Sequence, residues 1–306
     1  VRIDPVPRLF DAYVIVDWSA AEGRKTGADS VWIGVMKRDV RFRLSYEAHN
    51  PATRAEAEAL LRSLLADFRR RGEKVLVGFD FCLGFPEGTA ARLSLEGEPW
   101  AQTWKFLGQN VVDKADNANN RFQVAAKMNR LMTDEARPFW GAPARQAQRW
   151  LSTTKPESLG DIPEYRRCEL ATRKLGAKSM AKSVWQMHGA GAVGGQSLVG
   201  VAVVRRLVEE LGPACAVWPF GTGWKALTPA DVAPLSVVVA EVYPVLQPTA
   251  AEPGEVKDAT QVRGAAEAFA KLDDADRLGA LFAPPAGTSE ADVAVVQREE
   301  GWILGA

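Results

Sequence analysis

Six stretches of this chain read as strands, in two groups separated by a long helical middle. Tyr13–Asp17 (YVIVD) is a short apolar run ending on an acid, and a polar stretch with turn chemistry at Gly23 and Gly27 follows it. Val31–Met36 (VWIGVM) reads as a buried strand. After a turn at residues 37–39, Val40, Phe42, Leu44 and Tyr46 alternate with Arg41, Arg43, Ser45 and Glu47. That period of two marks a strand with one wet face, and its arginines suit a sheet edge. Thr53 and Glu56 then fit a capping box, Leu60, Leu61, Leu64, Leu65 and Phe68 form a helical apolar stripe, and Gly72 ends it. Val75–Asp80 (VLVGFD) is the fourth strand. The middle section, from about Gly84 to Pro213, holds helices over Trp100–Leu107, Asn119–Asp134 and Ser197–Leu211. Two further strands, Cys215–Phe220 and Ser236–Pro244, precede a helical pair, Ala259–Ala270 and Asp273–Phe282.

Three of these strands end on or near an acid: Asp17, Asp80 and Glu241. Acids are depleted from strands, and the carboxyl ends of parallel strands line the ligand crevice of an open α/β sheet. As parallel neighbours, the three would bring their carboxylates together, and the repulsion calls for a cation. All-oxygen ligands favour Mg²⁺ or Mn²⁺ over zinc. In LDDADRLGALFA, Asp273 and Asp276 are three apart on the predicted last helix and share a face, so they are a fourth contribution. Each acid alone has a structural reading as a cap or turn former; Asp273 as N-cap with Asp276 at N3 is one such.

Composition narrows the class. Lys plus Arg and Asp plus Glu are each 38, so no global field draws in nucleic acid. The region Arg121–Lys182 is basic, with 13 Lys and Arg against 6 Asp and Glu, and carries interleaved aromatics. Buried rings in ordinary helices explain most of those aromatics, while the charge surplus offsets the acidity of the proposed site. Arg166, Arg167, Arg173, Lys174, Lys178 and Lys182 in this region are candidate phosphate contacts, as are Lys257 and Arg263 in KDATQVRG, where Asp258 reads as a helix cap. Three scattered cysteines and two isolated histidines argue against a disulfide framework and a histidine zinc site. No apolar run approaches membrane-spanning length and VRIDPVPRLF has no signal-peptide core, so the reading is a cytoplasmic protein with no membrane partner. Nothing in the pattern sets the oligomeric state.

The stretches IVDWSAA, GFDFCLGFP, AEVYP, LDDADRLGALFA and the terminal EGWIL, spread from Tyr13 to Leu304, resemble a bacterial and archaeal family of predicted RNase H-like nucleases. The resemblance implies a ribonuclease H-like α/β fold. That fold is a mixed sheet of strand order 3-2-1-4-5 with strand 2 antiparallel. It would form a single domain over 1–306, with its core at about 10–86 and 214–306 and a mostly helical insertion at about 87–213. It implies acids on the first strand (Asp17), at the end of the fourth (Asp80) and on the last helix (Asp276 with Asp273), the paired acids being similar to the Holliday-junction resolvase branch. Two features depart from the superfamily pattern. The middle section is much longer than one helix. The fourth-strand acid is Asp where many of its nucleases have Glu, a difference of about 1.5 Å in reach.

The expectation is a phosphodiester hydrolase acting on nucleic acid or a nucleotide, with Asp17 bridging two Mg²⁺ or Mn²⁺ ions about 4 Å apart. Asp80 would complete one ion's ligands, Asp276 with Asp273 the other's, and Glu241 would be a ligand or a support for one. Asp17-Trp18-Ser19 is also faintly similar to the phosphate turn of actin-like kinases, which makes Ser19 a candidate substrate contact and a phosphotransferase the first alternative. A non-catalytic binding protein whose acids are structural is the second. Gly189, Gly191 and Gly194 match G-x-G-x-x-G, but KSVWQM before them is a poor strand and lies outside any βαβ unit, which excludes a dinucleotide fingerprint. A mobile loop ahead of an open helix N-terminus is the better reading. GTGWKAL lacks the ending of a P-loop.

Overall fold

The structure is a computed structural model that describes residues 8–39, 41, 43–174 and 180–306. Val40 and Phe42 of the third predicted strand, and the candidate phosphate contact Lys178, lie outside the described residues.

Strands β1 (Ala12–Asp17), β2 (Trp32–Arg38) and β3 (Leu44–His49) form an antiparallel meander. Helix α1 (Arg54–Arg70) leads to β4 (Val75–Phe79), which pairs parallel to β1. Half of the predicted capping box is present: Thr53 Oγ1 accepts from the N–H of Glu56, while Glu56 reaches back to the N–H of Ala52, one residue before the cap. The insertion then carries α2 (Thr89–Arg92), α3 (Pro99–Asn110), α4 (Arg121–Thr133), α5 (Arg167–Lys174) and α6 (Gly194–Leu211). Between α4 and α6 it is largely irregular, so it is less helical than its composition suggests. Strand β5 (Cys215–Val217), α7 (Pro229–Val232), β6 (Val237–Glu241), α8 (Lys257–Asp274) and α9 (Glu290–Val295) complete the chain.

The sheet is mixed and six-stranded, in the order β3-β2-β1-β4-β6-β5. The expected run 3-2-1-4 is there, but the next place belongs to the sixth strand, and the fifth lies outside it. The physical reason is burial. All five residues of β6 are buried, which needs a neighbour on each side, whereas β5 is three residues long, half-buried and soon followed by Pro219.

Both faces are covered, which is why β1, β4 and β6 read as unbroken apolar runs. Val14, Val16, Val77, Phe79 and Val239 face α1, α4 and α6, with Phe81 and Trp18 in the same core. Tyr13, Ile15, Leu76, Val238 and Ala240 face the other way, onto Val262, Ala266, Phe269 and Ala270 of α8. Phe81 lies so close to α6 that a Cβ at Gly200 would collide with its ring.

The last residues form a latch on the loop after β4. Glu299 accepts from the N–H groups of Gly88 and Ala90, both at 2.7 Å, and Glu300 from those of Glu87 and Arg167. Leu304 N donates to Glu241 O at 2.9 Å, and a side chain at Gly84 would strike the Glu300 carbonyl. Among the described residues, no helix is long and apolar enough to cross a membrane.

Candidate active site

Asp17 and Asp80 meet at the carboxyl ends of β1 and β4. Val16 is in register with Phe79, and the N–H of Asp80 donates to Val16 O at 2.9 Å, so the two acids are next in line on adjacent strands. Side chains alternate along a strand. Asp17 therefore follows Tyr13 and Ile15, and Asp80 follows Leu76 and Gly78, onto the α8 face. Among the described residues neither carboxylate has a hydrogen bond or a salt bridge. Each is partly open to a cleft of about 450 Å³ although surrounded on most sides by protein.

The electrostatics follow from that placement. Burial, then the charges of Asp80 and Asp258, push the Asp17 carboxyl well above its ordinary range. Burial and the Glu241 charge push Asp80 up to about 7, against the pull of Lys257. Two acids held together, with the pull of Lys257 outweighed by burial and by the charge of neighbouring carboxylates, form a site of excess negative charge.

Asp258 is the third acid, and it enters from the helix. Its Oδ2 accepts from the N–H of Asp29 at 2.7 Å, and it borders a smaller recess with Asp17, Ser19 and Gln196. The loop after β1 is anchored on every side. Ser19 Oγ donates to Asp29 O, and Gln196 Nε2 of α6 donates to Trp18 O at 2.6 Å. Arg54, fully buried, pairs bidentately with Asp113 and also donates to the carbonyls of Ser19 and Ala21. Ser19 thus borders the acids as expected, with its hydroxyl already engaged.

Six candidate residues sit otherwise than the sequence suggests. Asp273 lies at the opposite end of the sheet. Its carboxylate accepts from the N–H groups of Leu9 and Phe10, both at 2.9 Å, and from Tyr13 Oη at 2.6 Å, clamping the approach to β1. It is about 22 Å of helix from Asp258. Asp276 is exposed in a left-handed turn beyond α8, so it shares no helical face with Asp273. Glu241 lines the same cleft, but its side chain runs with those of Val237 and Val239, where Arg166 holds it at 2.6 and 2.8 Å and Leu83 N donates to it, so it is already paired and can only support the acids. Arg166 and Arg263 are both buried in ion pairs, Arg166 with Glu169 and Glu241, Arg263 with Glu255 and Glu267, so neither offers itself to a phosphate. Arg173 stacks on Tyr165, 3.6 Å from the ring centroid, and does not line the cleft. Lys257 does line it, with Lys182 and the Gly-rich segment 189–193.

The clamp has a measurable signature. Asp273→Ala leaves two buried N–H groups and a tyrosine hydroxyl short of an acceptor, and each such loss costs about 1–3 kcal/mol. Urea unfolding should show a loss of roughly 3 kcal/mol with Mn²⁺ affinity unchanged. Weakened metal binding in a folded variant would put Asp273 back in the site.

Among the described residues, one group of three has its ligand atoms within 4.8 Å of one another, a spacing a metal could bridge: Cys82, Glu169 and Glu241. That position already has its cation. The Arg166 guanidinium donates to both glutamates, and burial pushes the Cys82 thiol well above its ordinary range, away from the thiolate a metal needs. Asp17, Asp80 and Asp258 offer hard oxygen donors with no guanidinium between them, but the three do not converge within 4.8 Å as the first group does, and Asp258 borders the smaller recess rather than the main cleft.

Compared with protein-family models, with curated proteins and with solved structures, the chain matches none.

Proposed function

We propose that this protein is a metal-dependent phosphodiester hydrolase on a ribonuclease H-like scaffold, with Asp17, Asp80 and Asp258 as its Mg²⁺ or Mn²⁺ ligands. The observation that carries this is the pair Asp17 and Asp80, side by side in a cleft without a hydrogen-bond donor or a salt bridge among the described residues. The order β3-β2-β1-β4 with β2 antiparallel supports the scaffold, and the helical carboxylate at the acids' end of the sheet is Asp258, at the start of α8, rather than Asp273 or Asp276.

The ion supplies neutralisation of the scissile phosphate and a water acidic enough to attack near neutral pH. The chain's own residues place these reactants. Strand pairing sets the spacing of Asp17 and Asp80, Asp29 N orients Asp258, and Arg54 and Gln196 fix the loop behind Asp17. Glu241, held by Arg166, is a positioning residue whose charge acts on Asp80.

The test is hydrolysis of a single-stranded oligonucleotide with Mn²⁺. Asp17→Asn should lose more than about 100-fold, beyond the ~10–100-fold common for residues behind the ligands. A variant as active as the native protein sinks the assignment.

A further inference from the structure

We infer that the cleft takes one nucleotide unit at a time, so that the substrate is a single-stranded end or a mononucleotide ester rather than the interior of a duplex. This rests on the hydrolase reading and adds to it the shape of what is hydrolysed.

The observation is a pair of walls that the insertion raises beside the acids. Gln196 Nε2, bonded to Trp18 O, brings the first turn of α6 against the residue next to Asp17. Across the mouth, Tyr243 Oη donates to Met180 O at 3.5 Å, joining the segment after β6 to the insertion. The space left between is about 450 Å³. That is near the small end of the roughly 300–1,000 Å³ of small-molecule sites. Base pairs inside a duplex cannot enter such a space, and enzymes with one-nucleotide pockets take their target unpaired or extruded.

The lining suits the parts of a nucleotide. Lys257 opens α8 at the rim, and Lys182 lies with its stem against Gly191. Neither makes a salt bridge among the described residues, so both cations remain for a phosphate. The Tyr243 ring and the exposed Met180 thioether offer a face on which a base can stack. Gly189 and Gly191, also in the lining, hold φ of 105° and 71°, a bare backbone that a sugar-phosphate can approach closely.

The test uses the full chain with Mn²⁺ and thymidine 5′-monophosphate as calorimetric probe. The native protein should bind it, and the Lys182→Ala/Lys257→Ala double variant should bind at least about tenfold more weakly, each lysine being a charged hydrogen-bond partner. In parallel, a single-stranded oligonucleotide and a covalently closed duplex circle are offered as substrates. The expected result is release of mononucleotides from the first and an intact circle. Absence of nucleotide binding, or binding indifferent to both lysines, overturns the inference whatever the activity. Cutting of the circle as fast as the single strand also overturns it while leaving the hydrolase reading standing. Nucleotide binding that needs both lysines, without hydrolysis of either substrate, removes the hydrolase reading and the substrate assignment with it, and leaves the one-nucleotide cleft as a binding site.

Discussion

Replacing Arg166 with alanine is expected to cost about 3–5 kcal/mol, a large share of the ~5–15 kcal/mol that holds a typical domain together. Arg166 is fully buried and spends every donor. Nε and Nη2 reach Glu169 Oε1, Nη1 and Nη2 reach the two oxygens of Glu241, and Nη1 also reaches the Glu300 carbonyl. Without it two buried glutamates face each other, and the C-terminal latch loses a contact. The sign of the pH effect follows. Burial already holds the Glu241 carboxyl above its ordinary value in spite of Arg166. In the variant that displacement grows, so the folded state keeps a proton that the unfolded state has released. The variant should be least impaired in mild acid and lose stability as pH rises through the folded pKa. Urea unfolding at pH 5 and pH 8 measures both effects. A loss that is equal at the two pH values would show that the glutamates are not the cause.

The second large effect has the opposite direction. Asp80→Asn should stabilise the metal-free protein at pH 8 while abolishing its response to Mn²⁺. Asp80 is ordinary in the unfolded chain and titrates at about 7 when folded. Its cost to folding is therefore absent below the unfolded pKa, grows between about pH 4 and 7, and is constant above. Because the carboxylate opens onto solvent, the gain on removing it is on the order of 1–3 kcal/mol, less than the whole displacement implies. Thermal melts in EDTA should show the variant ahead at pH 8 and level at pH 4. With Mn²⁺ at about 100 times its Kd the native protein should gain ~2.7 kcal/mol. The variant should gain almost none. A metal-free variant no more stable than the native chain at pH 8 would refute the strain assigned to the acid pair.

Much of the sheet was legible because its strands are buried on both faces, and continuous apolar runs such as VLVGF and VVVAE have few other uses. The placement of β5 was not, since a run of composition CAVWPF does not reveal how little of it is paired. At the site, Asp17 and Asp80 stood out as acids closing apolar strands, but Glu241 passes to the other face because it is in phase with Val239 and not with Ala240. Asp258 had a signal that was read only as a cap. A helix that follows a parallel strand begins at that strand's carboxyl end, so the start of α8 had to lie near the acids and its last turn, with Asp273, far from them. The motif LDDADRLGALFA drew attention to the wrong end of the right helix. Lys182 belonged to a basic run whose pairing and exposure only packing decides.

The latch orders events on the ribosome. Strands β1 to β4, with Asp17 and Asp80, are made early, but the loop after β4 takes its backbone partners from Glu299 and Glu300, and Glu241 takes Leu304. Roughly 220 residues separate Asp80 from those partners, which at ~5–20 residues per second is a delay on the order of 10–40 s. The acid pair thus stands without Asp258 until α8 is made, and the loop after β4 stays without its backbone partners until Glu299 and Glu300 follow.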